Sequence, residues 1–169
     1  MSMEKVNVIG LGYIGLPTAL SLSVSGNEII GTDYNSKLVN NLQNGTIDFV
    51  EEGIKELYNK AVENGIIFTT EYQKADIYLV AVPTPYEKSD KKVDPTYVVN
   101  AVSSIVSVCD ENAIIIIEST ISPGTIDRYI RPIVANKKIN LVHAPERIIP
   151  GKIVEELKSN SRTIGADDV

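Results

Sequence analysis

The chain has 169 residues, of which 43% are apolar and 22% charged, and its formal net charge is −6 at pH 7. This composition is typical of a folded globular protein rather than a disordered chain. No apolar run approaches the roughly 20 residues that span a bilayer, and the acidic balance, without a long basic stretch, argues against nucleic-acid binding. One cysteine and one histidine exclude an intrachain disulfide and a Cys/His zinc site, so no metal is expected and the cytoplasm is the simplest compartment.

Seven short runs rich in valine and isoleucine alternate with longer amphipathic segments. Several runs are apolar at every position, which is typical of parallel strands covered on both faces. The predicted strands are Val6–Ile9, Glu28–Thr32, Ile66–Thr69, Ile77–Val82, Ala113–Ile117, Asn140–Ala144 and a weaker Arg162–Gly165.

The segments between these runs place apolar residues at helical spacing. Asp94-Pro95 is a helix-start signature, because Asp caps and Pro suits the first turn. The predicted helices are Tyr13–Ser25, Ser36–Asn44, Glu51–Asn64, Pro95–Val108, Pro123–Ala135 and Pro150–Lys158. The alternation predicts one α/β domain over residues 1–169, with a doubly wound, mostly parallel sheet and helices on both faces.

A glycine-rich turn joins the first strand to the first helix. In Val-Asn-Val-Ile-Gly-Leu-Gly-Tyr-Ile-Gly, Gly10 permits a tight turn, Gly12 lets a pyrophosphate approach the backbone, and Gly15 lets the helix pack near the strand. Asp33 ends the second strand 18 residues after Gly15, where a carboxylate accepts ribose hydroxyls. Because Tyr34 rather than an arginine follows, the pattern favours NAD over NADP. The alternative is that the glycines are ordinary turn residues and Asp33 a cap.

Polar residues follow several of the predicted strands, at the edge where doubly wound sheets bind ligands. Thr84 lies in Pro83-Thr84-Pro85, and Thr120 lies in a hydroxyl-rich segment before a helix. Glu146 and Arg147 follow the sixth strand, a pairing suited to acid/base work and anion binding. Each has a structural alternative. Thr84 could belong to a rigid turn without a ligand contact, the hydroxyls around Thr120 could be helix caps, and Glu146 and Arg147 could form a surface ion pair.

Two residues that invite chemistry have a structural interpretation. His143 lies in or at the end of an apolar strand, and Cys109 ends an apolar helical stretch with no base or metal ligand nearby in sequence. A structural histidine and an inert core thiol are therefore favoured. The charge cluster of residues 87–92 is interpreted as a solvated loop, with a lid over the cofactor as the alternative.

Four motifs in this order resemble the UDP-glucose/GDP-mannose dehydrogenase family over essentially the whole chain: Gly10–Pro17, Val82–Pro85, Glu118–Thr120 and Pro145–Gly151. The Glu-Arg-x-x-Pro-Gly form of the last motif is most similar to the branch that oxidises UDP-N-acetylmannosamine, since the UDP-glucose branch tends to have Pro-Glu-Phe-Leu there. The resemblance implies a Rossmann-type fold. It also implies a two-step, NAD-dependent oxidation of a nucleotide-sugar primary alcohol to the uronic acid, for polysaccharide biosynthesis.

The resemblance also implies roles for individual residues. Glu146 matches the glutamate assigned to acid/base work, and Thr120 resembles the residue that helps to place a catalytic water. Arg147 and Ile148 match positions near the sugar nucleotide. The positions matching the family's cofactor-binding residues are Gly10, Gly12, Tyr13, Ile14 and Gly15 on the phosphate turn, Asp33 on the ribose, and Thr84 and Thr120 along the cofactor.

Three parts of the family pattern are not found in these residues: the thioester-forming cysteine of a later segment, the central dimerisation region and the C-terminal nucleotide-sugar domain. Cys109 precedes the Glu-Ser-Thr motif and does not match that cysteine. We therefore expect the chain to bind NAD without turnover. The full-length enzyme is expected to be a homodimer that takes a UDP-sugar, and the chain alone either a monomer or a weak associate. The alternatives are the cofactor domain of a 3-hydroxyacid or 6-phosphogluconate-type dehydrogenase, and a stand-alone NAD-sensing module.

Overall fold

A seven-stranded sheet forms the centre of the computed structural model, which describes residues 4–88, 92–148 and 151–167. A separate two-stranded hairpin lies beside it. The strands are β1 (Lys5–Ile9), β2 (Glu28–Thr32), β3 (Ile67–Thr69), β4 (Ile77–Val80), β5 (Tyr86–Glu87), β6 (Lys92–Val93), β7 (Ile114–Ile117), β8 (Asn140–His143) and β9 (Gly165–Ala166). β5 and β6 form the hairpin.

The sheet has the order β3-β2-β1-β4-β7-β8-β9. Every neighbouring pair is parallel except β8 and β9, which are antiparallel. The carboxyl ends of the six parallel strands therefore share one edge, and the strand order reverses between β1 and β4. A crevice at such a reversal is where doubly wound sheets bind ligands, and the doubly wound, mostly parallel prediction is confirmed.

Helices cover both faces of the sheet, as predicted. On one face α1, α2 and α3 bury apolar side chains such as Leu20, Leu42 and Leu57, and on the other α4 and α5 bury residues such as Val102 and Val134. Among the described residues, no helix is long and apolar enough to cross a bilayer. The helices are α1 (Gly15–Val24), α2 (Ser36–Gln43), α3 (Ile54–Glu63), α4 (Thr96–Val108), α5 (Arg131–Val134), which follows a π-helical turn at Ile126–Ile130, and α6 (Ile153–Ser159).

Three predicted helices are shorter at their start than the pattern indicates. The first begins at Gly15, which leaves Tyr13 and Ile14 in the turn before it. The third begins at Ile54 because Gly53 has φ +75°, a left-handed conformation that cannot continue a helix. The last begins at Ile153, and the predicted start at position 150 lies outside the described residues.

The segment predicted as the helix Pro123–Ala135 is irregular. Gly124 has φ +82°, so the helical turns begin only after it. A π-helical turn then precedes α5, whose first turn contains Pro132. Because proline has no N–H to donate to the preceding turn, it interrupts a regular α-helix here.

The predicted strand Arg162–Gly165 is wrong at its start. The observed β9 is Gly165–Ala166, and Arg162 lies in the loop before it, where its guanidinium contacts two carboxylates instead of joining a ladder. The predicted strand Ile77–Val82 ends at Val80. The hairpin of β5 and β6 replaces part of the predicted loop at residues 87–92, of which 89–91 lie outside the described residues.

Candidate cofactor site

A cavity of about 320 Å³ opens beside the point where the strand order reverses. It lies between the carboxyl ends of β1, β2 and β4 and the first turns of α4. Its lining combines a carboxylate, aromatic rings and small polar groups, including Asp33, Tyr34, Tyr72, Tyr97, Asn100 and Ser104. A mostly apolar crevice with a few convergent polar groups is the usual form of a small-molecule site.

The three glycines of the turn have different steric surroundings. A Cβ on Gly10 would lie 2.6 Å from the carbonyl oxygen of Ala81, and one on Gly15 would lie 1.8 Å from the carbonyl oxygen of Gly10. Gly10 also has φ +90°. A Cβ on Gly12, in contrast, would meet nothing within 4 Å. Packing therefore requires Gly10 and Gly15, while Gly12 leaves open backbone surface that a phosphate group could approach, so the turn fits a dinucleotide.

The start of α1 has the general properties of an anion-binding element. The first turn of a helix leaves backbone N–H groups without intrahelical acceptors, and the helix dipole adds positive potential there. Ile14 is the N-cap residue, and its apolar side chain has no atom that could accept a hydrogen bond from these N–H groups. The free donors beside Gly12 therefore suit a phosphate.

The Asp33 carboxylate is oriented by two backbone donors. Leu11 N–H donates to Oδ2 at 2.8 Å, and Asn35 N–H donates to Oδ1 at 2.9 Å. The residue is only 8% exposed, yet it lines the cavity. Because each carboxylate oxygen has two acceptor positions, both can accept a further hydrogen bond from a ligand hydroxyl.

Tyr13 links the glycine turn to the far end of the chain. Its hydroxyl donates to Glu51 Oε2 at 3.0 Å and accepts from Gly151 N–H at 2.9 Å. Glu51 also accepts from the N–H groups of Gly151, at 3.0 Å to Oε2, and Ile153, at 2.8 Å to Oε1. Desolvation and the bond to Glu51 raise the pKa of the Tyr13 hydroxyl. The buried carboxylate thus caps α6 and fixes the turn after the Glu-Arg motif against the glycine turn.

The loops that carry Thr84 and Thr120 are joined by a neighbouring side chain. Ser119 Oγ donates to the carbonyl oxygen of Val82 at 2.8 Å. Thr84 is half-buried and Thr120 is exposed, and they follow β4 and β7, which are adjacent in the sheet. Both threonines therefore lie along the same edge as the glycine turn, where an extended cofactor would pass.

Glu146 lies directly beyond β8, at the same edge. Its backbone N–H donates to the Glu118 carbonyl at 3.3 Å, and its Oε1 accepts from the Arg147 N–H at 2.6 Å. Its Oε2 contacts the guanidinium of Arg162, which also contacts the buried carboxylate of Glu118. Arg147 is exposed and Ile148 is half-buried. Positions 149 and 150 of this motif lie outside the described residues.

Several residues of the site were not singled out from the sequence. Tyr97, Asn100 and Ser104 recur at spacings of three and four on α4, beside its apolar stripe, so a second, polar helical face was the available signal. Tyr72 has no such signal. Glu51 and Arg162 act through contacts with residues distant in sequence, and no local pattern marks them.

The two residues interpreted as structural lie away from the cavity. Cys109 is 3% exposed and belongs to the core between α4 and the sheet, which confirms a core position. His143 is in β8, and its Nε2 is buried with no hydrogen-bond partner among the described residues. Within the described ranges, no group of three His, Cys, Asp or Glu side chains is arranged to bind a metal.

The glycine turn, the adjacent carboxylate and the cavity at the strand reversal define a dinucleotide-binding domain. Residues 4–169 match the UDP-glucose/GDP-mannose dehydrogenase family, NAD binding domain. The chain belongs to this family, and the cofactor of this domain is NAD.

Relatives of known name cover nearly the whole chain. A UDP-N-acetyl-D-mannosamine dehydrogenase of Methanococcus maripaludis strain C7 is 42% identical over 167 residues, covering 96% of this chain and 39% of the relative. The enzyme of that name from Escherichia coli K12 is 37% identical over 179 residues, covering 98% and 42%. The structure of the UDP-N-acetyl-mannosamine dehydrogenase Cap5O from Staphylococcus aureus superposes with a TM-score of 0.91 at 39% identity, covering 96% of this chain and 41% of that one. The chain thus spans about two fifths of the length of these proteins.

Proposed function

We propose that this chain is the cofactor domain of a nucleotide-sugar 6-dehydrogenase that oxidises UDP-N-acetylmannosamine to the uronic acid with two NAD. The arrangement that carries the cofactor assignment is the pre-oriented Asp33 carboxylate beside the open backbone of Gly12. The sugar assignment is supported by the 42% identity to a relative named for that substrate and by the Glu-Arg motif beyond β8.

On the cofactor side, each group has a role that its position supports. Asp33 accepts the adenosine ribose hydroxyls, and its charge repels a 2′-phosphate. The turn of Gly10, Gly12, Tyr13, Ile14 and Gly15 binds the pyrophosphate through backbone N–H groups at the start of α1. Thr84 and Thr120 line the nicotinamide half, because they follow β4 and β7 along the same edge. NAD supplies a hydride acceptor when bound.

On the substrate side, Glu146 is the acid/base group. One of its oxygens is oriented by the Arg147 N–H and the other by Arg162, so the carboxylate has a defined direction. Thr120 helps to place the water of the second step. Arg147 and Ile148 contact the sugar nucleotide, since they continue the same loop past Glu146.

The organisation of the protein is part of the proposal. Residues 1–169 form one domain, and turnover needs segments that correspond to the remaining three fifths of the relatives, including a cysteine nucleophile. A full-length enzyme of this kind would be a cytoplasmic homodimer that takes a UDP-sugar from solution, whereas the chain alone would be a monomer.

Calorimetric titration of the 169-residue chain with NAD and, in parallel, NADP tests the cofactor assignment. We expect NAD to bind roughly tenfold or more tightly than NADP, because Asp33 opposes the extra phosphate. Failure of a natively folded sample to bind NAD would contradict the assignment. Preference for NADP would contradict the role of Asp33 and favour the 3-hydroxyacid or 6-phosphogluconate alternative.

The substrate assignment is tested in a protein in which this domain is joined to the segments that complete the relatives. We expect NADH formation with UDP-N-acetylmannosamine and two NADH for each sugar oxidised. NAD binding without oxidation of any nucleotide sugar would contradict the proposed dehydrogenase activity and favour an NAD-sensing module.

A further inference from the structure

Arg162 lies between two glutamates that come from the ends of adjacent strands. Its Nη1 contacts Oε1 of Glu118, the residue after β7, and its Nη2 contacts Oε2 of Glu146, beyond β8. The side chains of Glu118 and Glu146 are 1% and 8% exposed, whereas that of Arg162 is 25% exposed. The guanidinium is therefore the element of the group that remains open to solvent, and both carboxylates lie behind it.

The Glu146 carboxylate accepts a hydrogen bond at one oxygen and forms an ion pair at the other. Oε1 accepts from the Arg147 N–H at 2.6 Å, and Oε2 contacts Arg162. A planar guanidinium presents its donors in a fixed fork, so it fixes the direction of a carboxylate better than an ammonium does. The other branch of the guanidinium contacts Glu118. Orienting Glu146 alone would not require this second contact.

The charges of the group do not balance. Two buried carboxylates share one guanidinium. Burial raises the pKa of the Glu118 carboxyl, Arg162 opposes that shift, and Glu146 adds to it. Burial therefore favours the neutral form of Glu118.

Other charges near the group are few among the described residues. Lys158 of α6 lines the cavity next to Arg162 and adds positive potential from that side. His143 shares a face of β8 with Leu141, and both line a different cavity. The α1 residues that line the Arg162 cavity, Thr18 and Ser21 among them, are uncharged. Arg162 and Glu146 are therefore the charged groups that act directly on Glu118.

We propose that Arg162 is a positioning residue for Glu146, and that the buried Glu118 anchors the other branch of the same guanidinium. The proposal rests on the proposed acid/base role of Glu146. Its consequence is that Arg162, held in place by Glu118, fixes the direction of the Glu146 carboxylate.

Side-chain ¹³C relaxation of the glutamates in the 169-residue chain tests the positioning role, with Glu146→Gln used to assign the Glu146 signal. In the unsubstituted chain we expect a high order parameter for the Glu146 side chain. In Arg162→Met this order parameter should fall, because the guanidinium beside Oε2 is lost. Arg162→Lys, which keeps the charge without the fork, should give a smaller fall.

Arg128→Met is the matched control, since Arg128 is an exposed arginine that stacks on Tyr129 away from the group. It should leave the Glu146 order parameter unchanged. An unchanged Glu146 order parameter in Arg162→Met, with a native amide spectrum, would overturn the positioning role. If that variant does not fold, Glu118→Gln decides: a lower order parameter for the Glu146 side chain supports the shared guanidinium, and an unchanged one overturns it.

NAD titration of the same samples separates this proposal from the proposed function. Absence of NAD binding in the folded, unsubstituted chain contradicts the proposed function, while the Glu146 order parameter still reports on Arg162. Normal NAD binding with an unchanged Glu146 order parameter in Arg162→Met overturns the positioning role alone.

Discussion

The backbone N–H of Leu11 donates to the carboxylate of Asp33 at 2.8 Å, which links the glycine turn directly to the end of β2. The turn and the carboxylate therefore take up their relative positions on folding, before any ligand arrives. A site that is formed in advance loses less conformational entropy on binding. The same bond fixes the direction of the Asp33 carboxylate.

Replacing Asp33 with asparagine should weaken NAD binding by about 10- to 100-fold, because hydrogen bonds to a charged group contribute roughly 1.5–3 kcal/mol. It should weaken NADP binding less, since the repulsion of the 2′-phosphate is also lost, so the ratio of the two dissociation constants moves towards one. Calorimetry with both nucleotides measures this. Asp48→Asn is the control, because Asp48 is exposed and pairs with Asn41 outside the cavity. Equal NAD affinity in Asp33→Asn and the parent chain would refute the ribose role.

Alanine at Gly12 and at Gly10 should separate binding from folding. Gly12→Ala meets open space, so thermal stability should change by no more than roughly 1 kcal/mol while NAD affinity falls, since the methyl group occupies the approach of the pyrophosphate. Gly10→Ala should unfold the chain at a clearly lower temperature, because its Cβ would lie 2.6 Å from a backbone carbonyl oxygen. Thermal unfolding with and without NAD measures both effects. Full NAD affinity in Gly12→Ala would contradict the approach of the pyrophosphate to the Gly12 backbone.

Replacing Glu51 with glutamine should lower the free energy of unfolding by about 1–3 kcal/mol, because an amide NH₂ would face a buried N–H donor. Both carboxylate oxygens accept backbone bonds at present, from Gly151 and Ile153. Glu52→Gln is the matched neighbour, since Glu52 is exposed. Urea denaturation of the two variants gives the comparison, and equal stabilities would show that the carboxylate is dispensable.

The pH dependence of stability should reveal Glu118. Because its folded-state pKa is raised by burial, the folded state retains a proton that the unfolded state has lost above about pH 4.3. Stability from this group is therefore full below that pH and is lost as pH rises through the folded pKa. The lowered pKa values of three aspartates act in the opposite sense and at lower pH: Asp94, Asp110 and Asp167.

Glu118→Gln should remove that loss, so the stability difference between variant and parent should grow in the variant's favour as pH rises from about 4 to 8. Urea denaturation at several pH values measures it. Glu155→Gln, on the exposed side of α6, serves as the control. A difference that stays constant over this range would mean that Glu118 is not held in the protonated form.

The parts of the fold that could be predicted are those whose cause is local. Strands apolar at every position, such as Ile114–Ile117, identify a sheet covered on both faces. The glycine turn is equally local, because the steric demand on Gly10 comes from a close approach that only glycine permits. The position of Asp33 could be predicted because it lies 18 residues after Gly15, the last glycine of that turn.

What could not be predicted depends on contacts between distant residues. Arg162 contacts Glu118 across 44 positions, and its own surroundings were interpreted as a strand. The β5–β6 hairpin has two residues in each strand, too few for any periodicity. The π-helical turn before α5 reflects a single proline within an otherwise helical pattern.

The bonds from Glu51 to Gly151 and Ile153 join positions 100 and 102 residues apart. Closing so long a loop costs chain entropy that is recovered only when the intervening sheet is already in place. Ile153 is the one fully buried residue of α6, which has seven residues. This helix should therefore assemble after the sheet and open before it, as a separate unit of low protection in native-state hydrogen exchange. The contact between Glu51 and the start of α6 would then be the first to open on mild destabilisation, while the glycine turn remains folded.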